Sequence, residues 1–164
     1  MERLWTPWRL GYVTSASDVV PGCVFCDAVT RETDRSLIVY RGDCCFVILN
    51  LYPYNNGHLM VVPKRHVGRL ADLSPDEATQ MMGLTRSVEI ALQELYQPHG
   101  FNMGLNLGKA AGAGVLDHVH MHVVPRWHGD TNFMTVVGET RVLPEELAHT
   151  ADRLLPVLAR LGAA

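Results

Sequence analysis

Apolar and polar positions along the chain change period several times, and each change marks an element. Two runs rich in β-branched and aromatic residues, Leu37 to Tyr40 and Cys44 to Leu49, flank Arg41-Gly42-Asp43. Gly and Asp tolerate turn backbone, so this pattern predicts a hairpin. A third apolar run, His58 to Val62, follows the loop Tyr52-Pro53-Tyr54-Asn55-Asn56-Gly57. It stops at Pro63, which has no N–H to offer a sheet ladder. The period then becomes helical. Ser74-Pro75-Asp76-Glu77 supplies an N-cap serine, a proline at the first helical position and a glutamate placed to close a capping box. Met81, Leu84, Val88, Ala91, Leu92 and Leu95 recur along one helical face, and the stripe runs to Tyr96 before Pro98 and Gly100 end it.

Phe101 to Leu107 and His118 to Pro125 read as further strands, joined by the glycine-rich link Gly108-Lys109-Ala110-Ala111-Gly112-Ala113-Gly114; Pro144 to Leu161 reads as a closing amphipathic helix. The order strands, helix, strands, helix predicts a single α+β domain, an antiparallel sheet with its helices on one side. Within residues 1–164, residues 1–22 read as an irregular arm, 23–126 as the core that carries the motifs, and 127–164 as a C-terminal segment and helix. Trp5 and Trp8 in the arm need cover, from the chain's own core or from a second subunit.

With 164 residues, 48% of them hydrophobic, the chain is long enough to bury one core. The formal charge of −3 supplies no basic field for a nucleic-acid groove or an anionic membrane surface, so neither partner is expected and any anion is bound locally. The beginning of the sequence has no apolar core of a secretion signal, and no window reaches the roughly 18 uncharged apolar residues of a membrane span. The expected location is cytoplasmic. Four cysteines are too few for a disulfide scaffold in a chain of this size. The spacing Cys23-x-x-Cys26 favours metal or redox chemistry, as half of a zinc site whose other ligands lie elsewhere. Cys44 and Cys45, adjacent in an apolar stretch, are expected to point to opposite faces of a strand as buried, reduced thiols.

The chemistry concentrates in His118-Val119-His120-Met121-His122-Val123-Val124. On a strand, alternate residues share a face, so three imidazoles, spaced roughly 6.6 Å apart, line one side and Val119, Met121 and Val123 the other. Imidazole titrates near neutrality and suits a nucleophile or proton carrier, and an apolar opposite face anchors it. An exposed polar strand face and a strand binding metal through all three histidines are the alternatives. The link from Gly108 to Gly114 offers backbone N–H groups with few side chains in the way, as phosphate-binding nests do.

The stretch His118 to Val124, followed by Pro125-Arg126, resembles the His-x-His-x-His-x-x motif of the histidine triad nucleotide hydrolases and transferases. Asn50, Gly57-His58 and Val61-Val62-Pro63-Lys64-Arg65-His66 are similar to that family's second block. Trp5-x-Pro7-Trp8-Arg9, Cys23-x-x-Cys26, Pro125-Arg126-Trp127 and Gly129-Asp130-x-Asn132-Phe133-Met134 resemble bacterial members described as diadenosine tetraphosphate phosphorylases or ATP adenylyltransferase-like proteins. The resemblance implies that His120 is the nucleophile, its Nε2 attacking an α-phosphorus while Nδ1–H donates to a backbone carbonyl. It implies that His122 hydrogen-bonds at the phosphate and that His58 supports the site. Asn50 takes the ribose-contacting position, and Asn106 with Gly112, Ala113, Gly114 and Val115 falls where the family holds phosphate oxygens. One departure stands out: the link from Asn106 to His118 is a residue longer than in eukaryotic members, and no Gln or Ser follows Gly112 to assist the leaving group. Backbone N–H groups of Gly114 and Val115, with Lys109 as a nearby charge, are the substitutes the sequence offers.

In metal-binding bacterial members of the family, a Cys-x-x-Cys pair joins the histidine that ends the Pro-Lys-x-His segment and the first triad histidine. The resemblance therefore implies a structural zinc on Cys23, Cys26, His66 and His118, no organic cofactor, a purine nucleotide or dinucleoside polyphosphate as substrate, and a homodimer formed through the long helix and a sheet edge. Oxidised or merely packed cysteines are the alternative to zinc. Other readings of the site are a nucleoside phosphoramidase, a nucleotide-binding module with weak catalysis, and a metallohydrolase using all three triad histidines. His99, His128 and His149 read as loop or surface histidines, with His128 alone placed to approach substrate.

Overall fold

The computed structural model describes residues 22–30, 37–130 and 145–162. The proposed arm with Trp5 and Trp8, and the motif residues Asn132, Phe133 and Met134, lie outside them. Five strands, β1 (Ile38–Arg41), β2 (Cys45–Leu49), β3 (Leu59–Pro63), β4 (Gly100–Leu105) and β5 (Met121–Arg126), form one antiparallel sheet in the order β1-β2-β3-β5-β4. Among the described residues, three α-helices accompany it: α1 (Val24–Thr30), α2 (Pro75–Tyr96) and α3 (Leu147–Gly162). None is long and apolar enough to cross a membrane.

The long helix α2 starts where the sequence places it. The Ser74 hydroxyl accepts from the Glu77 N–H and the Glu77 carboxylate accepts from the Ser74 N–H, the reciprocal pair of a capping box. The predicted stripe is buried: Met81, Leu84, Val88, Ala91 and Leu92 meet Val39, Val47, Leu49, Leu59, Val61 and Val123 of the sheet, with Leu154, Val157 and Leu158 of α3 completing this core. Pro156 sits inside α3 on its exposed side, away from that core.

The helices are not all on one side. α1 covers the opposite face, where Phe25 packs with Ile38, Phe46, Ile48, Met60 and Val62. Covered on both faces, β2 and β3 are buried at every position, which explains their continuous apolar runs. A seven-residue helix with one buried side chain carries almost no periodic signal, so its position was not readable from the pattern.

Several strand boundaries differ from expectation: β1 and β3 are each shifted by one residue, β4 ends at Leu105 and not at Leu107, and two further differences bear on the cysteines and histidines. β2 begins at Cys45, leaving Cys44 in the turn, where it packs beside the same helix-side core instead of facing away from Cys45; both thiols are free. β5 begins at Met121 and not at His118. Its pairing with β3 ends at Val61↔Met121, short of Pro63. Pro63 has no N–H, and its carbonyl accepts from the His118 ring instead of from a strand neighbour. Residues 118–120 are instead pinned by the Val119 N–H on the Val67 carbonyl at 2.7 Å.

Candidate active site and metal cluster

The triad histidines lie on the α1 side of the sheet, where Met60 is the partner of His122 across the ladder and Phe25 touches both His118 and His120. His118 and His120 are buried and His122 is half-buried. Their ring nitrogens point to three different partners, and those partners assign the tautomers.

The ring of His118 donates from Nε2 to the Pro63 carbonyl at 2.8 Å, because a carbonyl can only accept. Its Nδ1 then carries a lone pair, and it faces the Cys23 and Cys26 sulfurs at 3.2 and 3.7 Å. The Nδ1 of His66 lies 3.4 Å from the Cys26 sulfur. The ligand atoms of Cys23, Cys26, His66 and His118 all fall within 4.8 Å of one another. A tetrahedral ion with metal–sulfur bonds of about 2.3 Å and metal–nitrogen bonds of about 2.0 Å separates its sulfur and nitrogen ligands by about 3.5 Å, so this set fits one. The hydrogen bond from His118 to Pro63 is the outer support that orients a metal-binding imidazole. Burial and the neighbouring Cys23 thiol push the Cys26 thiol up in pKa, a shift that a bound cation reverses.

His120 does the opposite with its nitrogens. Nδ1–H donates to the His118 carbonyl at 2.8 Å, which leaves the lone pair on Nε2. Burial lowers the pKa of His120, partly offset by that same hydrogen bond, so the ring stays neutral at neutral pH.

A third chain of bonds fixes His122. The Tyr54 N–H, which can only donate, points at His58 Nδ1 at 3.1 Å, and the Asn50 amide nitrogen lies 3.3 Å from the same atom. His58 Nδ1 is therefore an acceptor and Nε2 carries the proton, donated to His122 Nδ1 at 2.9 Å. His122 in turn holds its proton on Nε2. The paired rings place a lone pair on His120 and a donor on His122, with centroids 4.8 Å apart. Tyr54, which no sequence signal singled out, packs its ring 4.6 Å from that of His58.

Not every residue singled out in the sequence joins this centre. Asn50 is spent within it: besides the bond toward His58, its side-chain oxygen accepts from the Tyr52 N–H at 2.9 Å. Asn106 is half-buried just beyond β4, and Lys109 is exposed. In the link, the N–H groups of Ala111, Gly112 and Ala113 close turns on Gly108 and Lys109, whereas those of Gly114 and Val115 take no part in these turns. Val115 packs beside Phe25 in the α1-side core. His128 is drawn away to His99, with their rings stacked at 4.5 Å and its N–H on His99 Nδ1. His149 pairs with Glu145. The three triad histidines do not share one ligand position. Among the described residues, the group gathered for a metal takes His118 and leaves out His120 and His122.

The model of the HIT domain matches residues 31–129. The chain belongs to the histidine triad family. A protein of Mycobacterium tuberculosis named AP-4-A phosphorylase is 42% identical over 167 residues, covering 98% of this chain and 86% of that one. The asymmetrical bis(5'-nucleosyl)-tetraphosphatase of Schizosaccharomyces pombe is 36% identical over 95 residues, 58% of this chain and 52% of that protein. The crystal structure of a zinc-bound histidine triad family protein from Mycobacterium smegmatis superposes with a TM-score of 0.70 at 30% identity, covering 87% of this chain and 96% of its own. The single antiparallel sheet with its flanking helices is thus the fold of the family.

Proposed function

We propose that this histidine triad protein cleaves diadenosine tetraphosphate or a related dinucleoside polyphosphate through a covalent nucleotidyl intermediate on His120. The observation that carries the reading is the hydrogen bond from His120 Nδ1–H to the His118 carbonyl, which leaves Nε2 as the lone-pair nitrogen. In the first step Nε2 attacks the α-phosphorus, a P–N bond forms, and the P–O bond to the departing polyphosphate breaks. The ring becomes cationic as it loses its lone pair, and the carbonyl at Nδ1 stabilises that charge. In the second step an acceptor oxygen attacks the same phosphorus, the P–N bond breaks and His120 is restored. Two displacements give net retention at phosphorus.

His122 is the donor for a phosphate oxygen, held in that tautomer by His58. Asn50 is assigned to the ribose, exchanging a bond it now makes within the site. Asn106, Lys109 and the backbone from Gly112 to Val115 are assigned to the polyphosphate. Inorganic phosphate as acceptor yields ADP and ATP from diadenosine tetraphosphate, and water yields AMP and ATP. The similarity to a protein named AP-4-A phosphorylase across nearly the whole chain favours phosphate.

Zinc is assigned to Cys23, Cys26, His66 and His118. With all four positions taken by protein, it supplies folding energy and rigidity and activates no water. The reading includes a homodimer through α2 and the β4 edge. It is supported by exposed Met82 and Ile90 on that helix and by the place of β4 at the end of the sheet order.

Phosphorus NMR of diadenosine tetraphosphate treated with the protein, with and without added phosphate, tests the reaction. ADP that appears only with phosphate is the expected product; turnover undiminished in His120→Ala rejects the covalent route. Light scattering of the purified chain tests the dimer.

A further inference from the structure

We propose that Phe25 is a positioning residue for His120, and that through it the Cys/His cluster sets the geometry of the nucleophile. This rests on the reading of His120 given above.

Phe25 lies inside the metal-binding turn, between Cys23 and Cys26, and only 4% of it is exposed. Its ring wedges between the two histidines with different duties. It stands edge-on to His118 at 5.4 Å and tilted against His120 at 4.9 Å, interplanar angle 51°. The second hold on His120 comes from the same cluster, since its Nδ1–H is bonded to the carbonyl of His118, whose ring faces the two sulfurs. One contact limits rotation of the His120 ring and the other fixes its tautomer. Both belong to residues of the cluster or enclosed by it.

Besides the cluster, Phe25 is held by its packing on Ile38, Phe46, Ile48, Met60 and Val62. It is the one buried residue of the seven-residue helix α1. A helix that short has no stability of its own in water. Beyond the cluster, a hydrogen bond from the sheet also reaches α1, from Arg41 to the Val29 carbonyl at 3.0 Å. The helix-side core, by contrast, is built from strands and from α2 and α3 without α1. Closing the cluster on a metal adds to that packing by fixing both ends of the turn that carries Phe25, and Phe25 holds the ring of His120. Opening the cluster leaves the sheet and its main core standing while the nucleophile regains rotational freedom. Misplacing a reacting group by about 1 Å costs up to roughly a hundredfold in rate, so even partial release reads out in turnover.

The test compares the zinc-loaded full chain with Phe25→Ala and Phe25→Leu, reading imidazole ¹⁵N signals, zinc content, and kcat and KM separately. Phe25→Ala is expected to retain its zinc, to move the His120 nitrogen signals toward those of a ring exchanging between tautomers, and to lose roughly tenfold in kcat with KM within about twofold. Phe25→Leu, which refills the space, is expected to recover most of both. Chelating zinc from the unsubstituted protein is expected to move the same His120 signals while those of His58 and His122 stay. Unchanged His120 signals in Phe25→Ala overturn the proposal. So does a rise in KM with kcat intact, which makes the ring a wall of the binding site instead. Should the unsubstituted chain turn over no nucleotide, the functional reading fails, and the imidazole spectra still decide whether Phe25 positions His120.

Discussion

Replacing Gly57 by alanine injures fold and site together, by amounts the geometry sets. Gly57 closes the loop between β2 and β3 at φ +73°, directly before His58. A side chain in that backbone region costs about 1–2 kcal/mol. A Cβ there also comes within 3.0 Å of the Leu92 side chain and 3.5 Å of Pro125, both in packed surroundings, and forcing a methyl into a filled core adds about 1–3 kcal/mol. The sum, about 2–5 kcal/mol, lowers the melting temperature of a chain of this size by about 5–15 °C. The backbone shift that relieves the contact is passed to the next residue, and the 2.9 Å bond from His58 to His122 lengthens. Calorimetry with steady-state kinetics checks both consequences, with kcat expected to fall roughly tenfold or more. Gly104→Ala is the control. Gly104 pairs with His122 across the β4–β5 ladder, yet a Cβ built there meets nothing within 4 Å, so its melting temperature stays within about 1 °C of the unsubstituted protein. Equal and small losses in the two variants would refute the argument from Gly57.

Other residues give sharper separations between stability, metal and chemistry. The Gln80 side-chain oxygen accepts from the N–H groups of both Cys44 and Cys45, at 2.8 and 2.6 Å, so Gln80→Ala strands two donors at the head of a buried strand. Urea unfolding is expected to show a loss of about 2–4 kcal/mol. Cys23→Ser is expected to abolish zinc retention on gel filtration and to remove the chelator's effect on melting temperature, whereas His120→Ala keeps both. Glu145 is raised in pKa by burial but lowered more by hydrogen bonds from Tyr96, Arg153, Thr150 and Asn56, with a net value of about 2. Its contribution to stability is present above the ordinary carboxylate range and is lost as pH falls from about 4.5 toward 2. Scanning calorimetry across that window is expected to give a shallower acid limb for Glu145→Gln.

The parts of this molecule that were legible in the sequence are those in which one local rule decides the outcome. The capping box at Ser74, the stripe from Met81 to Leu92 and the hairpin at Gly42 each follow from spacing alone, and each is where the pattern places it. The alternation of histidines and apolar residues from 118 to 124 likewise predicts a common side for the imidazoles. It does not predict what each ring does there, because the roles are assigned by partners distant in sequence. Pro63 turns His118 toward the sulfurs, Tyr54 and His58 set the proton on His122, and Phe25 bears on His120. None of these contacts has a period. The start of β5 shows the same thing at the level of the backbone: read along the chain, His118 to Pro125 is one continuous strand. Only the neighbouring strand shows that Pro63 has no N–H to extend the ladder and that its carbonyl is taken by an imidazole. That break separates the histidine whose Nδ1 faces the sulfurs from the one whose Nε2 keeps its lone pair. A ladder continued through Pro63 would hold residues 118 to 120 by backbone bonds. The observed arrangement holds them by the His118 ring and by one backbone bond from Val119 to Val67, so the placement of His120 rests in part on a side chain that faces the cluster.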